Sequence, residues 1–321
     1  MGLHLYLARR LLSLLPVWIA ITFLAFGLGV IAPGDPAEAI YYHTFGVPPT
    51  DQAALDELRE ELGLNDPFLV RYGLWTYRAV QGDLGISYRT GDPVWNQMVS
   101  RLWATLKLAL GGVMVALVIA FPLGILAAVR QDSSLDLAAR LFSLIGAAMP
   151  SYWLAYLLIL VFAVHLHWLP VAGSDSWQHL VLPCTTLGLS GAALLSRLLR
   201  SSMLEAMGNE YMRVARAKGL PERRVILVHA LRNALIPVVT VMGTMLGFLL
   251  SGAIVIETVF AWPGLGRMMI DAISFRDYPV IQGFVIFAGT VFVLINLAVD
   301  VSYTWIDPRI RLAGGPDAGR N

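Results

Sequence analysis

The sequence predicts an all-α protein that crosses a membrane six times. Its 321 residues are 57% hydrophobic and only 14% charged, and their mean hydropathy is +0.67. Soluble domains carry about 25% charged residues, so this composition indicates a membrane protein. Six charge-free runs are long enough, or nearly so, to cross a hydrocarbon core of about 30 Å. In order, they are Leu11–Ile31, Leu108–Val129, Leu141–Val164, Leu180–Ser196, Ala234–Ile256 and Val280–Val299.

The first run is expected to stay in the protein as an uncleaved helix. Arg9 and Arg10 precede it, as in a signal peptide, but the run has 21 residues and no clear small-residue cleavage site follows. The fourth run is the shortest, with 17 residues. It extends to Leu199 if the Arg197 side chain reaches back to the membrane surface.

A long polar segment, residues 32–107, separates the first two runs. Thr50 or Asp51 is a suitable N-cap for a helix that runs to Leu62, and Gly63 follows as its stop. The expected apolar stripe of this helix comprises Ala54, Leu55, Leu58 and Leu62. Residues 82–94 are predicted to form a loop or hairpin. The segment has ten acidic and six basic residues. We interpret it as a docking surface for an extracytoplasmic protein, a cap on the helices, or both.

The distribution of basic residues predicts the orientation in the membrane. If the N-terminus is cytoplasmic, the inner segments hold 15 Lys or Arg in 80 residues and the outer segments hold 8 in 114. The positive-inside rule then places both termini in the cytoplasm. The expected divisions are 1–31 (N-terminus and first span), 32–107 (extracytoplasmic segment), 108–303 (membrane core, with a cytoplasmic loop at 197–233) and 304–321 (cytoplasmic tail).

The loop 197–233 is the one long polar interruption in the C-terminal half. It carries eight basic residues against three Glu. Good helix formers predict a helix over Glu205–Lys218, with Gly219 as its stop and a second short helix over Pro221–Leu231. The predicted apolar tip between the helices comprises Ala215, Ala217, Gly219 and Leu220. We interpret the loop as a docking device for a cytoplasmic partner, and the alternative is a solvated linker whose charges only set topology.

Two sets of residues are candidates for function. The docking set comprises Arg213, Ala215, Arg216, Ala217, Lys218, Gly219, Leu220 and Pro221. The second set lies in the fifth run, where small and hydroxylated residues could line a path for a polar solute, and it comprises Thr240, Gly243, Thr244, Gly247 and Ser251. For this second set the alternative is helix packing, because a Gly-x-x-x-Gly spacing permits close approach of two helices. The acidic residues Glu257 and Asp300 lie at run ends, where solvation accounts for both.

Several kinds of chemistry are excluded or disfavoured. No G-x-x-x-x-G-K-[ST] string is present, so any ATP hydrolysis must take place on another chain. The single cysteine, Cys184, excludes an intrachain disulfide and is interpreted as a packing residue. His165, His167 and His179 flank an outer loop and could hold a metal. Histidines at a membrane boundary are the simpler interpretation, so no metal site is expected.

Short strings along the chain resemble one family of permeases. YMRVARAKGL (211–220) with HALRNALIPVVT (229–240) resembles the cytoplasmic loop of bacterial ABC-importer permeases of the dipeptide, oligopeptide and nickel branch. Of the general importer pattern for this loop, only Gly219 aligns cleanly. Further resemblances are RRLLSLLPV (9–17), ELGLNDPF (61–68), GDLGIS (82–87), MPSYWLA (149–155), WLPVAG (168–173), GAIVIETVFAWPGLGR (252–267), RDYPVIQG (276–283) and DPRIR (307–311).

The resemblance implies a type I ABC-importer permease fold and a set of partners. They are a second, homologous permease, two ATP-binding subunits, an extracytoplasmic substrate-binding protein and membrane lipid, with no nucleic acid. It implies that this chain lies in the bacterial inner membrane. It also implies that the docking set couples the chain to an ATPase. The chain itself would be no enzyme and would hold no cofactor, since ATP and Mg²⁺ bind the partner ATPases. Short peptides are the expected substrate, and nickel, a metal chelate and glutathione are alternatives. An alternative of another class is a stand-alone channel or ion-driven carrier.

Overall fold

The computed structural model describes residues 3–31, 34–49 and 52–306, and these ranges are almost entirely helical. An isolated β-bridge joins Ile86 and Pro93, and no other strand pairing occurs in the described ranges. The helices are α1 (Leu3–Ile31), α2 (Pro36–Phe45), α3 (Gln52–Glu61), α4 (Phe68–Val80), α5 (Val94–Val129), α6 (Ser134–Ala148), α7 (Ser151–Leu158), α8 (Gln178–Gly208), α9 (Glu210–Ala217), α10 (Glu222–Arg224), α11 (Leu231–Leu250), α12 (Ile254–Val259), α13 (Leu265–Ser274) and α14 (Tyr278–Ile306).

Four helical stretches of the described chain are long and apolar enough to cross a membrane. They are Val94–Val129, Gln178–Gly208, Glu222–Leu250 and Tyr278–Val299. Two bent pairs pass the same test when each pair is taken as one span, α1 with α2 (71°) and α6 with α7 and its π-helical continuation Ile159–His165 (106°). The all-α polytopic fold is thus confirmed, with six spans when each bent pair counts once.

The third run, which is predicted as one span, does not form a single straight helix. The chain bends by 106° between α6 and α7. Met149 is extended (φ −81°, ψ 122°) and Pro150 follows it. Proline pushes the preceding residue out of the helical region and cannot donate a backbone hydrogen bond, so the helix ends there and restarts at Ser151. The string MPSYWLA carried this signal.

Other predicted boundaries shift because the helices extend into polar sequence. α5 begins at Val94 rather than Leu108, and α8 continues to Gly208, well beyond the suggested Leu199. The fifth run instead ends early, at Leu250 rather than Ile256. Gly252 has φ +99°, and a Cβ there would lie 2.7 Å from Gly266 Cα. Because only glycine fits both constraints, the backbone turns sharply at this point.

The local structure predicted for residues 32–107 is confirmed in part. α3 lies where a helix is predicted, and Gly63 follows it with φ +64°. Leu55 is buried, but Leu62 is 43% exposed and does not belong to the packed stripe. Residues 82–93 form a loop, as predicted, and Val94 begins α5. The predicted caps Thr50 and Asp51, like the string 307–311, lie outside the described residues.

A buried ion pair ties the bent third span to α8. Asp136 is fully buried, and its carboxylate accepts hydrogen bonds from both Nε and Nη2 of Arg200, the latter at 2.8 Å. The same carboxylate accepts from the backbone amide of Asp132 at 3.1 Å. Pairing and hydrogen bonding together make this burial of charge tolerable. The start of α6 is therefore fixed to the middle of α8.

Candidate functional site

The predicted docking region is built on the short amphipathic helix α9. Met212 is fully buried and Ala215 is 7% exposed. Both belong to a core formed with residues of the long helices, which includes Leu199, Met203 and Val225. Ala215 therefore faces the membrane helices, so its predicted place in an apolar tip is wrong. The helical period puts it on the same side as Met212.

The opposite side of α9 and the following turn are open to solvent. The exposed residues are Arg213, Val214, Arg216, Ala217, Lys218, Gly219 and Pro221, whereas Leu220 is half-buried and packs against the core. The tip thus presents a small apolar centre, Ala217 and Gly219, surrounded by cations. Such a surface suits a partner that offers a shallow groove with negative charge around it.

The turn between α9 and α10 is tightly defined. Gly219 has φ +75°, and its amide donates to the carbonyl oxygen of Arg216 at 2.9 Å. This left-handed conformation is unfavourable for residues with a Cβ. The Arg216 and Glu222 side chains form an ion pair at 2.8 Å across the turn. Both are substantially exposed, so the pair orients the turn more than it stabilises the protein.

The prediction of a second short helix over Pro221–Leu231 is wrong. α10 continues through a π-helical segment, Val225–Ala230, directly into α11. The result is one helical rod from Glu222 to Leu250. No glycine occurs between Glu222 and Pro237, and a proline within a long membrane helix is tolerated, so nothing ends the helix at Leu231.

The candidate pathway residues of the fifth run divide into two groups on α11 and at its C-terminal end. The hydroxyls of Thr240, Thr244 and Ser251 each donate to the carbonyl oxygen four residues earlier, at 3.1, 3.1 and 2.9 Å. Their polarity is therefore largely satisfied within the helix. All three are half-buried. Their role in lining a path for a solute stays a prediction.

The two glycines of this set make the contact between α11 and α14. Gly243 and Gly247 are both buried. A Cβ at Gly243 would overlap the Val299 side chain, and a Cβ at Gly247 would lie 3.2 Å from the Phe292 ring. The helix-packing alternative thus accounts for both glycines.

A buried carboxylate that the sequence interpretation missed lies between α5 and α13. Glu257 of α12 is fully buried. The interpretation that this residue is solvated at the end of an apolar run is therefore wrong. Its carboxylate accepts from Thr105 Oγ1 at 2.9 Å and from the Arg267 amide at 3.0 Å, with a further backbone bond from Gly266. Thr105 in turn accepts from the Leu265 amide at 2.9 Å.

Glu257 thereby joins α12, which carries it, to α5 and α13. It fills the N-terminal end of α13, where helix amides favour a negative charge, and it ties that end to α5. A Cβ at Gly264 would overlap its carboxylate, so the glycine makes room for the acid. Burial raises the pKa of Glu257 against the opposing effect of these hydrogen bonds. Glu257 is the single acid of the string GAIVIETVFAWPGLGR (252–267), and nothing beside it in the sequence indicates that it is buried.

A second missed carboxylate fixes the outer loop. Asp277 is 2% exposed and accepts from Ser87 Oγ, the Tyr88 amide at 3.0 Å and the Arg89 amide at 3.4 Å. Burial, together with the nearby carboxylate of Asp277, raises the pKa of Tyr88 to about 12. The loop 82–94 is thus held at the N-terminal end of α14.

The three histidines are not brought together. His179 Nδ1 bonds Ser176, and His167 Nδ1 lies 3.3 Å from the carbonyl oxygen of His165. No group of three or more His, Cys, Asp or Glu side chains suited to a metal ion occurs in the part of the chain that the structure describes. Cys184 is buried, and burial accords with the packing role inferred for it.

Comparisons with known proteins identify the family. Residues 120–312 match the family described as "Binding-protein-dependent transport system inner membrane component". Residues 3–109 match "Binding-prot-dependent transport system membrane comp, N-term". The "Glutathione transport system permease protein GsiC" of Escherichia coli strain K12 is 43% identical over 306 residues, which cover 95% of this chain and 98% of the relative. The protein of the same name from Shigella dysenteriae serotype 1 matches equally well.

The solved structures agree at the level of fold. An inward-facing form of the MetNI methionine ABC transporter has a TM-score of 0.53 and 20% identity, and the match covers 65% of this chain and 96% of that one. The alternative of a stand-alone channel or ion-driven carrier is overturned by the family matches. Taken with the span pattern and the amphipathic helix α9, these matches make the chain a member of the family of binding-protein-dependent inner-membrane transport components, as a permease of the peptide and nickel branch of ABC importers.

Proposed function

We propose that this chain forms half of the membrane path of an ATP-driven importer for short peptides of the glutathione class. The observation that carries the proposal is the 43% identity to permeases named for glutathione transport, over 98% of their length. Glutathione is itself a short peptide with two carboxylates. Nickel or a metal chelate is the second candidate, because the family branch includes such importers.

The proposal includes the partners that this architecture requires. A second, homologous permease would complete the path, two ATP-binding subunits would hold ATP and Mg²⁺, and an extracytoplasmic protein would deliver the solute. Both termini and the tip around Gly219 would lie in the cytoplasm, as the excess of basic residues in the inner segments favours.

Coupling to the ATPase is assigned to the exposed side of α9 and its turn. The tip carries exposed Arg213, Arg216 and Lys218 around Ala217 and Gly219. It is anchored beneath by buried Met212 and Ala215. The rod Glu222–Leu250 begins directly after this turn. Movement of a docked partner would therefore be passed to α11, which carries the predicted pathway residues Thr240 and Thr244 and ends directly before Ser251.

Substrate identity is tested by uptake in cells. The gene for this chain is deleted and then restored on a plasmid, and uptake of radiolabelled glutathione is measured against unlabelled dipeptides and radioactive nickel. We expect the deletion to abolish glutathione uptake, the plasmid to restore it, and short peptides to compete. Unchanged glutathione uptake with loss of nickel uptake would overturn the peptide assignment while leaving the importer assignment intact.

The coupling surface is tested with Ala217→Arg. Ala217 is exposed, so the larger side chain should be accommodated in the fold while blocking close approach of a partner. We expect normal membrane insertion, loss of uptake and weaker co-purification of the ATP-binding subunits. Ser201→Arg is the matched control, because Ser201 is also exposed on the same side of the membrane but lies on α8. Ala215→Arg is unsuitable, since it would bury a charge. Full uptake by Ala217→Arg would refute this docking surface.

A further inference from the structure

The outer helix α4 is apolar around most of its circumference. Plotted at 100° per residue, its thirteen residues leave only one charged sector, formed by Arg71 and Arg78. One apolar sector comprises Phe68, Tyr72, Trp75 and Ala79. A second comprises Leu69, Val70, Leu74, Tyr77 and Val80. A helix that is apolar nearly all round is normally buried in a core or in a membrane.

The first apolar sector packs against α1 through a cluster of aromatic rings. The Phe68 ring centroid lies 5.5 Å from that of Phe23 and 5.4 Å from that of Phe26. The Tyr72 ring lies 5.4 Å from Phe23, and Tyr72 Oη lies 2.9 Å from the buried Thr22 Oγ1. These contacts fix where along α1 the outer helix sits.

That position is below the outer end of the first span. α1 ends at Ile31, and α4 contacts it at Phe23, Phe26 and Gly27, where a Cβ would lie 3.9 Å from the Phe68 ring. At 1.5 Å per residue, this places the contacts about 6 to 12 Å inward from Ile31 along the helix axis. Interfacial amphipathic helices bury their apolar faces to a comparable depth.

The second apolar sector of α4 has no cover within the described part of the chain. None of the thirteen residues of α4 is buried. Leu69 and Val80 are each 70% exposed, and Tyr77 is 67% exposed. On α1 itself, Leu24 and Leu28 are 62% and 67% exposed, so the first span also has an uncovered apolar face within the described part of the chain. At this depth, a face of the first span that no other protein chain covers meets lipid chains.

We propose that α4 is a membrane-embedded helix of the outer leaflet, with Leu69, Val70, Leu74, Tyr77 and Val80 in contact with lipid. The helix lies against α1, and its two arginines extend their charged ends toward the headgroups. The guanidinium carbon of Arg71 also lies 6.0 Å from the centroid of the Phe26 ring on α1, within the range of a cation–π contact. Lipid is favoured over a water-soluble binding protein, because a protein docked from the aqueous side would not reach the level of Phe23.

This inference divides the outer segment into two parts. α3 carries exposed acids such as Glu57 and Glu60 and remains on the aqueous side, whereas α4 belongs to the bilayer. The assignment does not depend on which solute is transported.

The test places a fluorescent probe on α4 in the complete importer within a lipid bilayer. In a Cys184→Ala background, Leu74→Cys and Tyr77→Cys are labelled with bimane and reconstituted with phospholipids brominated on their acyl chains. We expect strong loss of emission at both positions, comparable to that of Leu24→Cys on α1. Glu57→Cys on α3 is the aqueous control and should be quenched by iodide rather than by brominated lipid.

Two results would overturn the proposal. Quenching of the Tyr77→Cys probe by iodide without quenching by brominated lipid would place α4 in water. Protection from both quenchers would show that a protein chain covers this face. If the cysteine variants fail to assemble, the wild-type importer is irradiated with a photoreactive lipid and its adducts are mapped by mass spectrometry. Adducts within Phe68–Val80 support the proposal, and their absence there alongside adducts on α1 contradicts it.

Discussion

Removing the carboxylate of Glu257 should destabilise the protein more than any change at an exposed acid. The carboxylate is fully buried and accepts from Thr105 Oγ1 and from the amides of Arg267 and Gly266. Glu257→Ala leaves these donors without an acceptor in a site that water does not reach. It also opens a space beside Gly264, where a Cβ would now fit.

The expected magnitude follows from the number of orphaned donors. An unsatisfied buried donor costs about 1–3 kcal/mol, so losing the Thr105 and Arg267 bonds alone costs roughly 2–6 kcal/mol. Glu257→Gln retains one carbonyl oxygen and a similar volume, and its amide can still donate to Thr105. It should therefore cost only about 1–2 kcal/mol. Glu57→Ala on the exposed face of α3 should stay within about 0.5 kcal/mol of wild type.

The assay is unfolding of the purified chain in mixed micelles of mild detergent and sodium dodecyl sulfate, with circular dichroism as readout. The predicted order of destabilisation is Glu257→Ala, then Glu257→Gln, then the Glu57→Ala control. A Glu257→Ala variant as stable as the control would refute the reasoning, because it would mean that the buried acceptor contributes nothing. Equal losses for Ala and Gln would show that the charge matters and the hydrogen bonds do not.

Three further predictions concern other contacts. Because burial raises the pKa of Glu257, the folded protein holds this proton more tightly than the unfolded one. Wild-type stability relative to Glu257→Gln should therefore fall as pH rises from roughly 4.3, the ordinary value for Glu, toward the raised value, and a pH-independent difference in unfolding midpoint would contradict this. Gly243→Ala should cost about 1–3 kcal/mol in the same unfolding assay, since its Cβ would overlap Val299. Gly73→Ala, with open space around it, should cost nothing, and equal effects of the two changes would be evidence against close α11–α14 packing. Asp277→Asn should speed amide hydrogen exchange at Tyr88 and Arg89, because these two amides donate to its carboxylate. Asp92→Asn at an exposed site is the control and should leave that exchange unchanged. Slow exchange in both variants would show that the loop is held in another way.

The sequence predicted most of what depends on neighbouring residues. The apolar runs predicted the spans, and Gly219 predicted the turn after α9. The spacing of Gly243 and Gly247 correctly indicated close packing of two helices. The bend at Met149 and Pro150 was also readable, since proline restricts the residue before it. The apolar run continues through Met149 and Pro150 without interruption, so hydrophobicity alone does not indicate the bend.

The buried carboxylates could not be predicted, because their partners are distant in the chain. Glu257 bonds Thr105 across 152 positions, and Asp277 bonds Ser87 across 190. Nothing near either acid in sequence distinguishes it from a solvated helix end. The burial of Ala215 was missed for a different reason. An amphipathic helix of eight residues shows too few apolar positions to reveal its buried side until its neighbours are known.

The bond between Asp277 and the outer loop also sets an order of events during synthesis. The Tyr88 amide leaves the ribosome 189 residues before its acceptor. At roughly 5–20 residues per second, the loop 82–94 waits about 10 to 40 seconds before it can be fixed. Through that interval it is joined only to its own helices and is open to proteases and chaperones. A chain truncated before the last span would keep the loop in this immature form permanently, so quality control acting on this loop would distinguish incomplete permeases from complete ones.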